Sequence, residues 1–191
     1  MVRNDGTSFI SVRVIITIAM LMVIAGLFYV GIKQALPIIE ENNIKRQVLS
    51  LDTLLHEMAG GDARNVLTEN HRVKSGEKRI FRINLPSSIS YFSIGTDADP
   101  NNDGKLQSKL MYDGRVIVYK IKGRSKKIYW LDSNIKLRLG EYKNGDWTIK
   151  EPEEGLVIQN GGKYKITLEL VKYHNENIIL IYGNNSVPYI S

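Results

Sequence analysis

The sequence has 191 residues, 43% of them apolar and 24% charged, a balance that excludes a wholly disordered or collagen-like chain. Lys and Arg number 26 against 20 Asp and Glu, a net charge of +6 that selects no partner by itself. There are no cysteines, which rules out disulfides, zinc–thiolate sites, iron–sulfur clusters and a cysteine nucleophile.

The first element is the most informative. Val14 to Ile32 reads VIITIAMLMVIAGLFYVGI, without a single charge. As a helix it spans about 28 Å, against a hydrocarbon core of about 30 Å. Arg13 and Lys33 bracket it, and their long stems let the charges reach the headgroups. A cleaved secretory signal has a shorter apolar core, about 7–15 residues, and a small-x-small cleavage site. Gly31-Ile32-Lys33-Gln34-Ala35 is a poor one. A core helix that is apolar on every face needs a larger protein around it. The segment therefore reads as a retained membrane helix. The flanking cations, Arg3 and Arg13 before it and Lys33, Lys45 and Arg46 after it, do not fix its orientation.

The helix is expected to continue. Pro37 can bend it, because proline removes one backbone bond and crowds the preceding turn. Helical spacing then resumes, with Ile44, Val48, Leu51, Leu55 and Met58 forming a heptad-like seam. Gly60-Gly61-Asp62 is the stop signal. Beyond it the pattern turns to short β-like runs separated by turn residues, and 62–77 reads as a polar surface connection. The runs are Lys78–Leu85, Ser88–Gly95, Arg115–Lys122, Lys127–Leu131, Ile135–Leu139, Trp147–Lys150, Leu156–Gln159, Tyr164–Tyr173 and Ile178–Tyr182. Asp113-Gly114 and Asn144-Gly145 are hairpin dipeptides. Strands and helices do not alternate, which argues against a doubly wound parallel sheet. The expected fold class is α+β, a long N-terminal transmembrane and amphipathic helix packed on an antiparallel β-sheet head. Its parts are a leader and flank (1–13), a membrane helix (14–32), an amphipathic extension (33–61) and a β-rich domain (62–191).

Arg3-Asn4-Asp5-Gly6, then Thr7-Ser8-Phe9-Ile10-Ser11 and the apolar run carry a resemblance. Together with the layout of the chain they resemble the archaeal type IV pilin-like proteins. The loose strand motif Ile83-Asn84-Leu85-Pro86-Ser87-Ser88-Ile89-Ser90 is similar to one early in their heads. In that family a short charged leader ends in a small residue, and a membrane peptidase cuts there on the cytoplasmic side. The resemblance implies cleavage after Gly6, with Thr7 as the new N-terminus. It also implies a head outside the cytoplasm, a helix that anchors in the cell membrane and then packs in a filament, and other pilin-like subunits as partners. Ala19, Ala25 and Gly26 are small enough to permit close helix approach. Many pilins carry Glu at the fifth mature position, where this chain has Ser11, and Arg13 would be the seventh mature residue. These departures suit a minor or accessory subunit. The alternative is a single-pass anchored external binding module that touches glycan or surface proteins.

Three further features are candidate sites. In Asp97-Ala98-Asp99-Pro100-Asn101-Asn102-Asp103-Gly104-Lys105-Leu106, residues Asp99, Asn101 and Asp103 with Gly104 copy the first half of an EF-hand-type calcium loop. Leu110 stands where the bidentate acid belongs, so Asp97 or Asp113 would have to complete an irregular site, with calcium as the one cofactor the spacing suggests. The same residues are turn formers. Arg124, Lys126 and Lys127 form a basic loop suited to an anionic ligand, or simply a solvated turn, and nucleic acid is not expected. Asn184-Asn185-Ser186 is an N-glycosylation sequon with Asn184 as acceptor. His56, His71 and His174 share no metal spacing, and no catalytic motif is present, so the chain is not expected to be an enzyme.

Overall fold

The computed structural model describes residues 5–66, 76–132, 134–143 and 146–183, with side chains from Val12 onward. The chain divides into two compact units, Met1–Glu40 and Glu41–Ser191. The class is α+β: one long apolar N-terminal helix and a separate sheet domain.

Helix α1 runs from Asp5 to Ala59 and passes through Pro37. In the first unit every large apolar side chain from Val12 to Ile39 is exposed, each at 46% or more. By length and composition this helix suffices to cross a membrane. In the second unit the helix is amphipathic. Ile44, Val48, Leu51, Leu55 and Met58 are fully buried, as the seam predicts.

Among the described residues the second unit holds ten strands. In chain order they are β1 (Arg64–Asn65), β2 (Lys78–Leu85), β3 (Ile89–Ile94), β4 (Val116–Ile121), β5 (Lys127–Trp130), β6 (Leu137–Lys143), β7 (Asp146–Ile149), β8 (Leu156–Ile158), β9 (Gly162–Tyr173) and β10 (Glu176–Gly183). They form two sheets rather than one. The six-stranded sheet has the order β1-β9-β10-β6-β7, with β2 also on β9. It is mixed: β1 lies parallel to β9 and β6 parallel to β10, while β2–β9, β9–β10 and β6–β7 are antiparallel. The four-stranded sheet, β5-β4-β3-β8, is antiparallel throughout. The expectation of an antiparallel head is corrected in this respect. Strand β1 lies inside the stretch read as a surface connection, and residues 67–75 of that stretch lie outside the described residues.

Period-two alternation sends one face of each sheet into the main core. There the buried seam of α1 joins Phe81, Ile83, Leu85, Ile166 and Leu168 of the larger sheet and Phe92, Ile94, Ile117 and Ile121 of the smaller one. Full burial of each such side chain contributes about 1.5–3 kcal/mol. Strand β10 is apolar on both faces because Ile178, Leu180 and Tyr182 face a second cluster with Ile149 and Val171. A third cluster, Tyr91, Ala98, Val116 and Val118, lies outside the main core. It is closed by the loop between β3 and β4.

Two turns differ in kind. Lys143 pairs with Asp146, so β6 and β7 form a hairpin around Asn144-Gly145, which lies outside the described residues. Asp113-Gly114 is not a hairpin. It belongs to a 3-10 turn, Tyr112–Gly114, that leads the β3–β4 loop into β4, with positive φ at all three residues.

Candidate functional site

The acidic loop is built into the domain at Asp97 to Asp99 and stands in solvent from Asn101 to Lys105. Ala98 is fully buried, and Asp97 and Asp99 beside it are only 2% and 1% exposed. An isolated carboxylate at that depth is costly, so each needs a counter-charge. Lys126, at the start of β5's approach, supplies one. Its Nζ donates to Asp97 Oδ2 at 2.7 Å and to the Asp99 carbonyl at 2.8 Å. Lys120 of β4 stands 3.6 Å from Asp99 Oδ2. The remaining oxygens accept backbone N–H groups: Asp97 Oδ1 from Asp99, and Asp99 Oδ1 from Gly104. Tyr91 lies beneath, and burial first, then the charges of Asp97 and Asp99, push its hydroxyl pKa up.

The four residues of the expected calcium loop are therefore not drawn around one point. Asp97 and Asp99 are buried and paired with lysines, whereas Asn101 and Asp103 are exposed, and Asp103 Oδ1 accepts from the Lys105 N–H. Among the described residues no three His, Asp or Glu side chains are grouped to hold a metal ion. The cation seated on this loop is the ammonium of Lys126.

The basic loop changes its meaning as well. Arg124 and Lys127 both pair with Glu41 of α1, at 3.0 and 3.1 Å, and Lys126 is held by the acidic loop. All three cations expected to meet an anionic ligand have carboxylate partners in the head, Lys126 largely buried and Arg124 and Lys127 at the surface. Glu41 shows the effect. Burial alone would raise its pKa, but the bonds from Lys127 and Arg124 outweigh it and hold the carboxyl below the ordinary range.

Gly6 and Thr7 fall in the first turns of α1, where side chains lie outside the description. Asn184 and His71 also lie outside the described residues. His56 is on the helix surface, 3.6 Å from Asp52, and His174 stacks on Tyr173.

The structure also assembles features that the sequence left scattered. Tyr112, 46% exposed, meets Trp130, 57% exposed, edge to face at 4.9 Å. The backbone beneath is strained: Tyr112 and Asp113 have φ of 54° and 56°, in the left-handed region that side chains disfavour. Buried Arg138 fastens this turn, donating to Asp113 Oδ1 at 2.7 Å, to the Asp113 carbonyl at 2.9 Å and to Glu153 at 2.8 Å. Arg64 and Glu169 form a second buried pair at 3.0 Å, completed by the Gly76 N–H on the same carboxylate. A basic outer face on β2 and β9 carries Arg82, Lys163 and Lys165. Set against known proteins, the chain matches no family model, no curated sequence and no solved structure.

Proposed function

We propose that the chain is a type IV pilin-like structural subunit of the minor or accessory kind, held in the cell membrane by the first half of α1, with the β-rich unit outside the cytoplasm. Its work is the assembly of a surface filament or adhesion through one. One observation carries this reading: a single helix is apolar on all faces from Val14 to Ile32 with its large side chains exposed, then becomes amphipathic and buries Ile44, Val48, Leu51, Leu55 and Met58 in a head. A helix with two such halves suits a chain that trades lipid for neighbouring helices without disturbing its folded domain. Cleavage after Gly6 is part of the proposal, and no reactive side chain is required of the mature subunit.

N-terminal sequencing of the membrane-extracted protein tests it. A mature chain starting at Thr7 supports the pilin-like reading. An intact Met1 overturns it in favour of a single-pass anchored binding module, to which the exposed Tyr112–Trp130 pair, packed edge to face, would give an aromatic contact for a sugar ring.

A further inference from the structure

The cations of the basic loop have carboxylate partners, whereas those on the outer face of β2 and β9 have none among the described residues. Arg82 stands directly opposite Lys165, and Asn84 opposite Lys163. Phe81, Ile83, Tyr164 and Ile166 are buried on the core side, so the strand period puts Arg82, Lys163 and Lys165 together on the other face. All three are exposed. Opposed Cβ atoms in such a pair lie about 5 Å apart, and alternate residues along β9 about 7 Å apart. Glu169, further along the same face, is held by Arg64 and Lys78. Like charges directly opposite in an antiparallel pair repel, so the cluster opposes folding unless an anion meets it.

The surroundings narrow what that anion is. The three cations line a concavity of about 330 Å³ with Gln47, Ile83, Asn84 and Tyr164. Its apolar side chains are out of reach: Ile83 is 2% exposed and Tyr164 7%, and the Tyr164 hydroxyl donates to the Asn160 carbonyl. A protein partner would want an apolar or aromatic anchor there, and a nucleobase a ring to stack on. The concavity offers charge and an amide instead. Gln47 takes up both the N–H and the carbonyl of Asn84, so among the described residues the Asn84 side-chain amide is left for a ligand. The Arg82 guanidinium can hold a carboxylate or sulfate through two parallel N–H bonds, the lysines add point charges, and the amide can bond a hydroxyl. We propose that this face binds the carboxylate or sulfate groups of an acidic polysaccharide. Only the folded second unit is needed, so the site serves a pilin-like subunit and an anchored module alike.

Calorimetric titration of the full chain in uncharged detergent at low salt tests this, with polygalacturonate, dextran sulfate, plain dextran and a DNA duplex as probes. The expected result is binding of polygalacturonate, dextran sulfate or both, and none of plain dextran. Which of the two binds tells carboxylate from sulfate. With three cations engaged, raising the salt from about 50 to about 200 mM should weaken binding on the order of tenfold, through counterion release. R82Q/K163Q/K165Q should abolish binding and melt no lower than its parent, because the repulsion is gone. R124Q/K127Q removes two cations that Glu41 already holds and should leave binding unchanged. Failure of both anionic polysaccharides to bind overturns the site. A duplex that binds as tightly overturns the choice of ligand, and equal weakening by the two variants assigns the binding to net charge and overturns the site as well.

Discussion

Gln47 of α1 makes with Asn84 of β2 both hydrogen bonds that a neighbouring strand would make. Its Nε2 donates to the Asn84 carbonyl at 3.0 Å, and its Oε1 accepts from the Asn84 N–H at 2.7 Å. Among the described residues β2 pairs only with β9, so this amide closes part of an otherwise open edge. Gln47→Ala is expected to cost about 1–2 kcal/mol, the worth of two exposed hydrogen bonds. Denaturant unfolding of the full chain in detergent micelles, followed by tryptophan fluorescence, measures it. An unchanged midpoint would show that the edge needs no cap.

Lys126 carries more. Lys126→Met leaves Asp97 buried without its counter-charge, and breaking a buried pair in this way costs about 3–5 kcal/mol. The same unfolding experiment checks it. A loss below about 1 kcal/mol, the range of exposed ion pairs, would mean that the acidic loop is solvated after all.

Gly114 is required by its backbone and its neighbours. Its φ is +70°, and a Cβ there would collide with the Leu137 carbonyl and the Arg138 guanidinium. Gly114→Ala is expected to lower the melting temperature and to loosen the turn that presents Tyr112. Gly123, also at positive φ but with open space around it, should lose less on the same change. Equal losses at the two positions would assign the effect to φ alone.

Acid should weaken the head. The Lys150 bond holds Glu154 below the ordinary carboxylate range. Burial alone would raise Glu41 and Asp113, but Lys127 and Arg124 on the one and Arg138 and Lys136 on the other overcome it. Each group binds its proton less readily folded than unfolded. The stability they add is complete above the unfolded pKa of about 4 and is lost as pH falls through the lower folded values. The melting temperature should therefore drop below about pH 4, and E41Q/D113N/E154Q should drop less. Parallel curves would show that other groups govern acid unfolding.

Much of the fold was legible because it is written locally. The seam from Ile44 to Met58 has one period, and the same residues are buried. The run Lys78–Leu85 alternates, and it is β2 from end to end. The parallel pairings were not legible: β6 meets β10 across a long stretch of chain, and no local pattern states which strands become neighbours. The two-residue β1 is too short to leave a period. Asp113-Gly114 has hairpin composition, but positive φ already at Tyr112 makes it a different turn. Asp97 and Asp99 stand in a tight turn, closed by the bond from the Gly104 N–H to Asp99. Their counter-charge comes from Lys126, on another part of the chain, and no local spacing announces that pairing. The same distance hid the role of Arg124 and Lys127, since Glu41 lies far from them in sequence and beside them in the fold.

The most direct measurement is where the full-length chain goes when cells are broken without detergent. Centrifugation should leave it in the membrane fraction, resistant to alkaline carbonate and released by detergent, because the large apolar side chains from Val12 to Ile39 are exposed among the described residues. Recovery in the soluble fraction as a dispersed, folded protein would contradict the membrane reading and the pilin-like role that depends on it.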